Sequence, residues 1–168
     1  MPVNSDFKVN IGYPGTNKED QPDQVVVKPD PDALAKDGST LEVEVHVTDR
    51  HAKILEDNDK NIPSPQSGKG LIDTGASISA IDVNMLQKLD ISPIGATKVS
   101  TPSGQATQEL YAVKFSFPGK GLPDMTSLNV LGSNLKKQDI CALIGRDILR
   151  HCLLVYDGTS GSIMLAVW

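Results

Sequence analysis

The chain has 168 residues, 39% of them hydrophobic, and a formal net charge of −5, which suits one domain with a genuine core plus an arm. The acidic balance, without a basic cluster anywhere, argues against a nucleic-acid partner. The first residues lack the apolar run of a signal peptide, and no stretch approaches membrane-spanning length, so a cytoplasmic protein without a membrane partner is expected.

Residues 1–38 differ from the rest. They hold five of the eleven prolines and polar sequence such as Asn17-Lys18-Glu19-Asp20-Gln21, with only Phe7 to Ile11 and Val25 to Val27 able to form short strands. An arm over the domain, a removable pro-segment and a disordered leader all remain open; residues 39–168 are read as the domain. Leu41 to Val47 alternates as a half-buried strand. Thr48 or Asp49 then caps a short helix carrying Ala52, Ile54 and Leu55. A loop from Asn61 to Lys69 returns the chain to Leu71-Ile72-Asp73-Thr74-Gly75-Ala76-Ser77, where a strand delivers a carboxylate to its own end and turns at once.

Ile78 to Ile81 reads as a strand, and Asp82 caps a helix with Val83, Leu86 and Leu89 on one side. Two strand arms flank the turn Pro102-Ser103-Gly104, the second alternating strongly through Tyr111, Val113, Phe115 and Phe117. Met125 to Leu131 is a further strand, followed by a polar loop from Gly132 to Asp139. Ile140 to Ile144 is a continuous apolar strand suited to burial on both faces, ending in Gly145-Arg146-Asp147 and a short helix. Leu153 to Tyr156 and Ser162 to Val167 flank Asp157-Gly158-Thr159-Ser160-Gly161, a hairpin signal. At least eight strands and only short helices predict an all-β, closed or nearly closed barrel-like domain. Cys141 and Cys152 suit free thiols, and neither cysteines nor histidines show metal-ligand spacing, so no metal and no cofactor are expected.

The Asp73-Thr74-Gly75-Ala76-Ser77 segment, paired with Ile144-Gly145-Arg146-Asp147 far downstream, resembles the retropepsin-like aspartic proteases. These are single-lobe enzymes of retroviruses, bacteria and eukaryotic DNA-damage-inducible proteins; a bacterial-type member fits this chain, and the resemblance spans roughly Leu41 to Val167. It implies an acid-protease barrel, a homodimer, and an endopeptidase acting on extended peptides or proteins. Asp73 would be the catalytic acid/base. Thr74 would hydrogen-bond across the dimer axis, Gly75 would position substrate backbone, and Ala76 and Ser77 would continue the turn. Gly145, Arg146 and Asp147 would support the loop, and Pro102, Ser103 and Gly104 would tip a substrate-covering flap. Val99, Ile78 and Ile144 are candidate pocket residues.

Three departures from the family pattern stand out. The Asn61–Lys69 region and the helix before it lengthen a connection that is short in retroviral members. The flap tip is poor in glycine. Where retroviral members often carry an acid that pairs with the motif arginine, this chain has Ser77, so Arg146 needs another partner, Asp147 or a residue of a second subunit.

Peptide hydrolysis of this kind needs two carboxylates sharing a proton, one ionised to activate water and one protonated to donate to the scissile carbonyl. One Asp-Thr-Gly per chain therefore requires two chains. The alternatives are a catalytically weak peptide-binding or dimerisation module of the same fold, and an Asp-nucleophile phosphotransferase, whose βα setting and second carboxylate for magnesium this all-β pattern does not supply.

Overall fold

The computed structural model describes residues 23–26, 30–101, 104–118 and 122–167. Phe7 to Ile11 of the leader, and Pro102 and Ser103 of the flap tip, lie outside them. The chain is mostly β, with four short helices among the described residues. β1 (Asp23–Val26), β9 (Leu153–Asp157) and β10 (Ser162–Val167) form a three-stranded sheet in the order β1-β10-β9.

The other seven strands are β2 (Thr40–His46), β3 (Gln66–Ile72), β4 (Ala80–Asp82), β5 (Gly95–Thr101), β6 (Gly104–Ser116), β7 (Met125–Ser133) and β8 (Ala142–Ile144). Their order is β2-β3-β8-β4-β7-β6-β5, and β2 also pairs with β6 through Glu44↔Ser116, Val45↔Phe115 and His46↔Lys114. That extra pairing closes six strands into a ring and leaves β5 outside it. The expected barrel-like closure is met.

Period-two burial explains the walls. On β2, Leu41, Val43 and Val45 turn inward while Glu42 faces solvent. On β6 only the second half behaves so: Tyr111, Val113 and Phe115 are buried, whereas residues 104–107 and 109 are exposed. The first half of β6 pairs with β5 from Gly95↔Leu110 to Thr101↔Gly104, making a hairpin that stands off the body. Inside the ring, Val43, Val45, Ile81, Leu86, Leu89, Val113, Phe115, Val130 and Ile144 are fully buried.

The helices follow their caps. In α2 (Asp49–Asp57) the Thr48 hydroxyl accepts from His51 N–H, and in α3 (Val83–Lys88) the Asp82 carboxylate accepts from Asn84 N–H. α4 (Arg146–Leu149) is a single turn after Gly145.

α1 (Pro31–Asp37) falls in the segment read as the arm. Asp30 caps it, Pro31 opens it, and Leu34 enters the main core. Asp30 N–H donates to the Gly161 carbonyl at 3.0 Å. Gly161, at φ +71°, has no room for a side chain: a Cβ there would lie 2.0 Å from Pro31 N.

One loop expectation is corrected. Residues 66–69 are strand, pairing Val45↔Gln66 through Glu42↔Lys69. The glycines that make this stretch look loop-like are packing requirements. A Cβ on Gly68 would sit 2.9 Å from Cys141 Sγ, and one on Gly70 would sit 2.9 Å from Val43 Cγ1.

Candidate active site

β3 and β8 run parallel with Ile72 opposite Ile144, and β4 lies antiparallel on the far side of β8. Both central strands end at the same level, so the Asp73 turn and Gly145 emerge side by side. Asp73 N–H donates to the Ile144 carbonyl at 3.0 Å, and Arg146 N–H donates to the Ala76 carbonyl at 3.0 Å. Gly145 is needed for close approach: a Cβ there would meet the Ile78 carbonyl carbon at 2.9 Å and Ser79 N at 3.0 Å.

The Asp73 carboxylate is half-buried at the mouth of this crossing. Its Oδ1 accepts from Gly75 N–H at 2.8 Å and Ala76 N–H at 3.2 Å, which fixes the side chain on its own turn. A Cβ on Gly75 would stand 3.0 Å from that oxygen. Among the described residues Oδ2 has no hydrogen-bond partner and is left for what enters the cleft. Thr74, Gly75 and Ser77 are exposed, and Ala76 and Ile78 are half-buried beside them.

Within the chain Arg146 finds its partners in the backbone of the Asp73 turn and not in Asp147. Its Nη1 donates to the Thr74 carbonyl at 2.7 Å and to the Gly75 carbonyl at 2.9 Å, clamping the Asp73 turn through its backbone. The Ser77 position therefore needs no acid within the chain. Asp147 serves a different contact: its Oδ1 accepts from Ser79 N–H at 2.9 Å and from Ser79 Oγ at 2.7 Å. Ser79 Oγ in turn accepts from Gly145 N–H at 2.9 Å.

Ser79 is fully buried and joins the Asp73 loop to both halves of the second motif, yet sequence reasoning did not single it out. Its one signal was a hydroxyl inside the run Ile78-Ser79-Ala80-Ile81, which must be hydrogen-bonded once buried.

Two further acids, Asp82 and Asp157, are engaged elsewhere. Asp82 is buried beneath α3; burial favours its neutral form, but bonds from Asn84 and from Leu135 N–H outweigh this and hold its pKa below the ordinary carboxylate range. Asp157 folds the β9–β10 turn, accepting from Ser160 and Thr159, which likewise lowers its pKa.

Of the flap, Gly104 is exposed at φ +121°, and Val99 is half-buried on the face it shares with Thr97, Gln108 and Leu110. Ile144 cannot line a pocket, because it is fully buried under the crossing. Cys141 and Cys152 are free thiols whose pKa values burial raises, that of Cys141 to about 11. Among the described residues no cluster of His, Cys, Asp and Glu could hold a metal, and no helix is long and apolar enough to cross a membrane.

No family model and no curated protein matches the sequence. Among solved structures, the chain is similar to the protease of simian foamy virus (mac), with 20% identity, 67% of this chain and 92% of that one covered, and a TM-score of 0.42. It is similar to the protease of EIAV (18% identity, 67% and 85% covered, TM-score 0.43). It is also similar to a retropepsin-like aspartic protease from Rickettsia conorii (15% identity, 86% and 93% covered, TM-score 0.49).

Proposed function

We propose that the chain is an aspartic-type endopeptidase that works as a homodimer, with the two Asp73 carboxylates sharing one site. The observation that carries this reading is the Asp73 turn itself. A half-buried carboxylate with one oxygen pinned by two backbone N–H groups and the other free sits on a loop fastened by Arg146 and Ser79. A turn held this firmly suits a group that must meet its twin across a two-fold axis within hydrogen-bonding reach.

In such a pair one carboxylate is ionised and takes a proton from water. The other, protonated, donates to the carbonyl oxygen as the water attacks. The tetrahedral intermediate then collapses with proton transfer to the leaving nitrogen. No acyl-enzyme forms. The titration belongs to the pair, so activity falls on both sides of the range in which one proton is shared. The exposed β5–β6 hairpin would close over an extended peptide, whose backbone pairs with it while Val99 and Ile78 meet apolar side chains.

The test is cleavage of a mixed peptide library by the intact chain and by Asp73→Asn, from acidic to neutral pH and over a range of protein concentrations. Defined cuts by the wild type alone, with specific activity rising with concentration, support the reading. A folded, dimeric wild type that cuts nothing leaves a binding module. Equal cutting by both proteins refutes the role of Asp73.

A further inference from the structure

A groove of about 630 Å³, within the roughly 300–1,000 Å³ of ligand clefts, shares no residue with the Asp73 turn or its supports. One wall is α2, the other residues 90–94, which lead into β5. Both walls are apolar in part. Ile54 stands on the helix, 51% exposed, and Ile94 on the facing segment, 57% exposed, with Ile91 on the same wall. α2 buries none of its residues fully, yet it is moored: Lys114 Nζ donates to Asp49 Oδ1 at 2.6 Å.

The charges narrow what the groove can hold. Asp49, Arg50, His51 and Asp90 all line it. Asp49 is neutralised by Lys114. Among the described residues, the Arg50 guanidinium and the Asp90 carboxylate have no ion pair or hydrogen bond. His51, half-buried next to Arg50 in the chain, can add only positive charge, and only to the helical wall. The groove thus offers an open cation on one wall, an open anion on the other, and apolar side chains on both.

We propose that this groove binds short apolar peptides with both ends free, Arg50 taking the α-carboxylate and Asp90 the α-ammonium group. Charge complementarity chooses this occupant. An apolar carboxylic acid would satisfy Arg50 but cover Asp90 without a partner, and an apolar amine would do the reverse. A neutral apolar body would leave both charges unpaired. A zwitterion with an apolar body satisfies both.

Size agrees. A compact volume of 630 Å³ is about 11 Å across, the length of two or three extended residues at roughly 3.5 Å each. Short peptides with free ends and apolar residues are also what the proposed cleavage releases. That link rests on the peptidase reading; the site itself does not.

The test is amide-resolved NMR titration of the full-length chain with the dipeptide Leu-Leu, with N-acetyl-Leu-Leu and with Leu-Leu-amide. Ile91 N–H is bonded to the Leu86 carbonyl and Ile94 N–H to the Leu110 carbonyl, so both amides report on the groove wall. Leu-Leu is expected to shift both. Each capped peptide should bind about tenfold more weakly, because each loses one charged hydrogen bond. Arg50→Gln should abolish the discrimination against Leu-Leu-amide, and Asp90→Asn that against N-acetyl-Leu-Leu. Asn tolerates the positive φ of Asp90, +51°, so the second variant keeps the wall intact. Equal binding of the three peptides by the wild type overturns the proposal, as does the absence of shifts at residues 91 and 94. Asp73→Asn should bind Leu-Leu as the wild type does; weaker binding there would put the peptide in the Asp73 cleft and overturn the proposal too. Binding is read without cleavage, so the outcome stands even if the chain cuts no peptide.

Discussion

Ser79→Ala tests the loop-anchoring network most directly. Ser79 is fully buried; its hydroxyl donates to Asp147 Oδ1 at 2.7 Å and accepts from Gly145 N–H at 2.9 Å. Truncation orphans a buried backbone N–H, at a cost of about 1–3 kcal/mol, and removes a hydrogen bond to a carboxylate, about 1.5–3 kcal/mol more. The expected loss is ~2.5–6 kcal/mol, or roughly 5–20 °C in Tm for a chain of this length. Asp147→Asn is the matched control. An amide oxygen can still accept from Ser79 N–H and Oγ, so this variant should lose less than about 1 kcal/mol. Denaturant unfolding at one fixed protein concentration measures both, fixed because dimerisation would add to apparent stability. If Ser79→Ala costs under about 0.5 kcal/mol, or Asp147→Asn costs as much as Ser79→Ala, the network does not hold the loop as described. Peptide cleavage by Ser79→Ala should also fall by about tenfold or more, since a loosened turn misplaces Asp73.

Asp82 has a depressed folded-state pKa, so its contribution to stability is complete above the unfolded carboxylate value and is lost as pH falls through the folded one. Asp82→Asn should therefore flatten the fall in Tm below about pH 4, measured against wild type by thermal melts from pH 6 to 2.5. Leu34→Ala should cost about 2–4 kcal/mol by denaturant unfolding, because α1 delivers Leu34 to the main core; a neutral result would make α1 dispensable and move any removable leader's end beyond it. Cys141, with a pKa of about 11, should carry roughly 100-fold less thiolate than an ordinary cysteine at neutral pH. Alkylation followed by mass spectrometry should find it correspondingly slow in the folded chain and fast in denaturant.

The strands with one buried face were legible because alternation is a local signal: β2 and the second half of β6 read directly from Leu41-Val43-Val45 and Tyr111-Val113-Phe115. So were the caps at Thr48 and Asp82 and the two motifs that meet at Asp73 and Gly145. Gln66 to Lys69 was not, since its glycines disfavour a strand locally and are required only by the Cys141 and Val43 side chains opposite them. The partner of Arg146 was hidden for a different reason. Sequence comparison pairs side chains with side chains, whereas the guanidinium here binds two backbone carbonyls that every residue possesses. Ser79 was overlooked because a buried hydroxyl's role depends on a carboxylate and an amide 68 and 66 residues away.

The way the turn is fastened bears on why the peptidase reading calls for a second copy. The bonds to the Asp73 turn among the described residues come from behind or from within: Ile144 and Arg146 hold its backbone, and Gly75 and Ala76 hold one carboxylate oxygen. Nothing among the described residues donates to or shares a proton with the other oxygen. A carboxylate so arranged has no acid beside it to protonate a scissile carbonyl. Neither Asp82 nor Asp147 can be recruited cheaply, since freeing them would orphan buried donors at Leu135 or Ser79. On the peptidase reading, the missing proton would arrive on another Asp73, with a second copy of the same turn as the economical source.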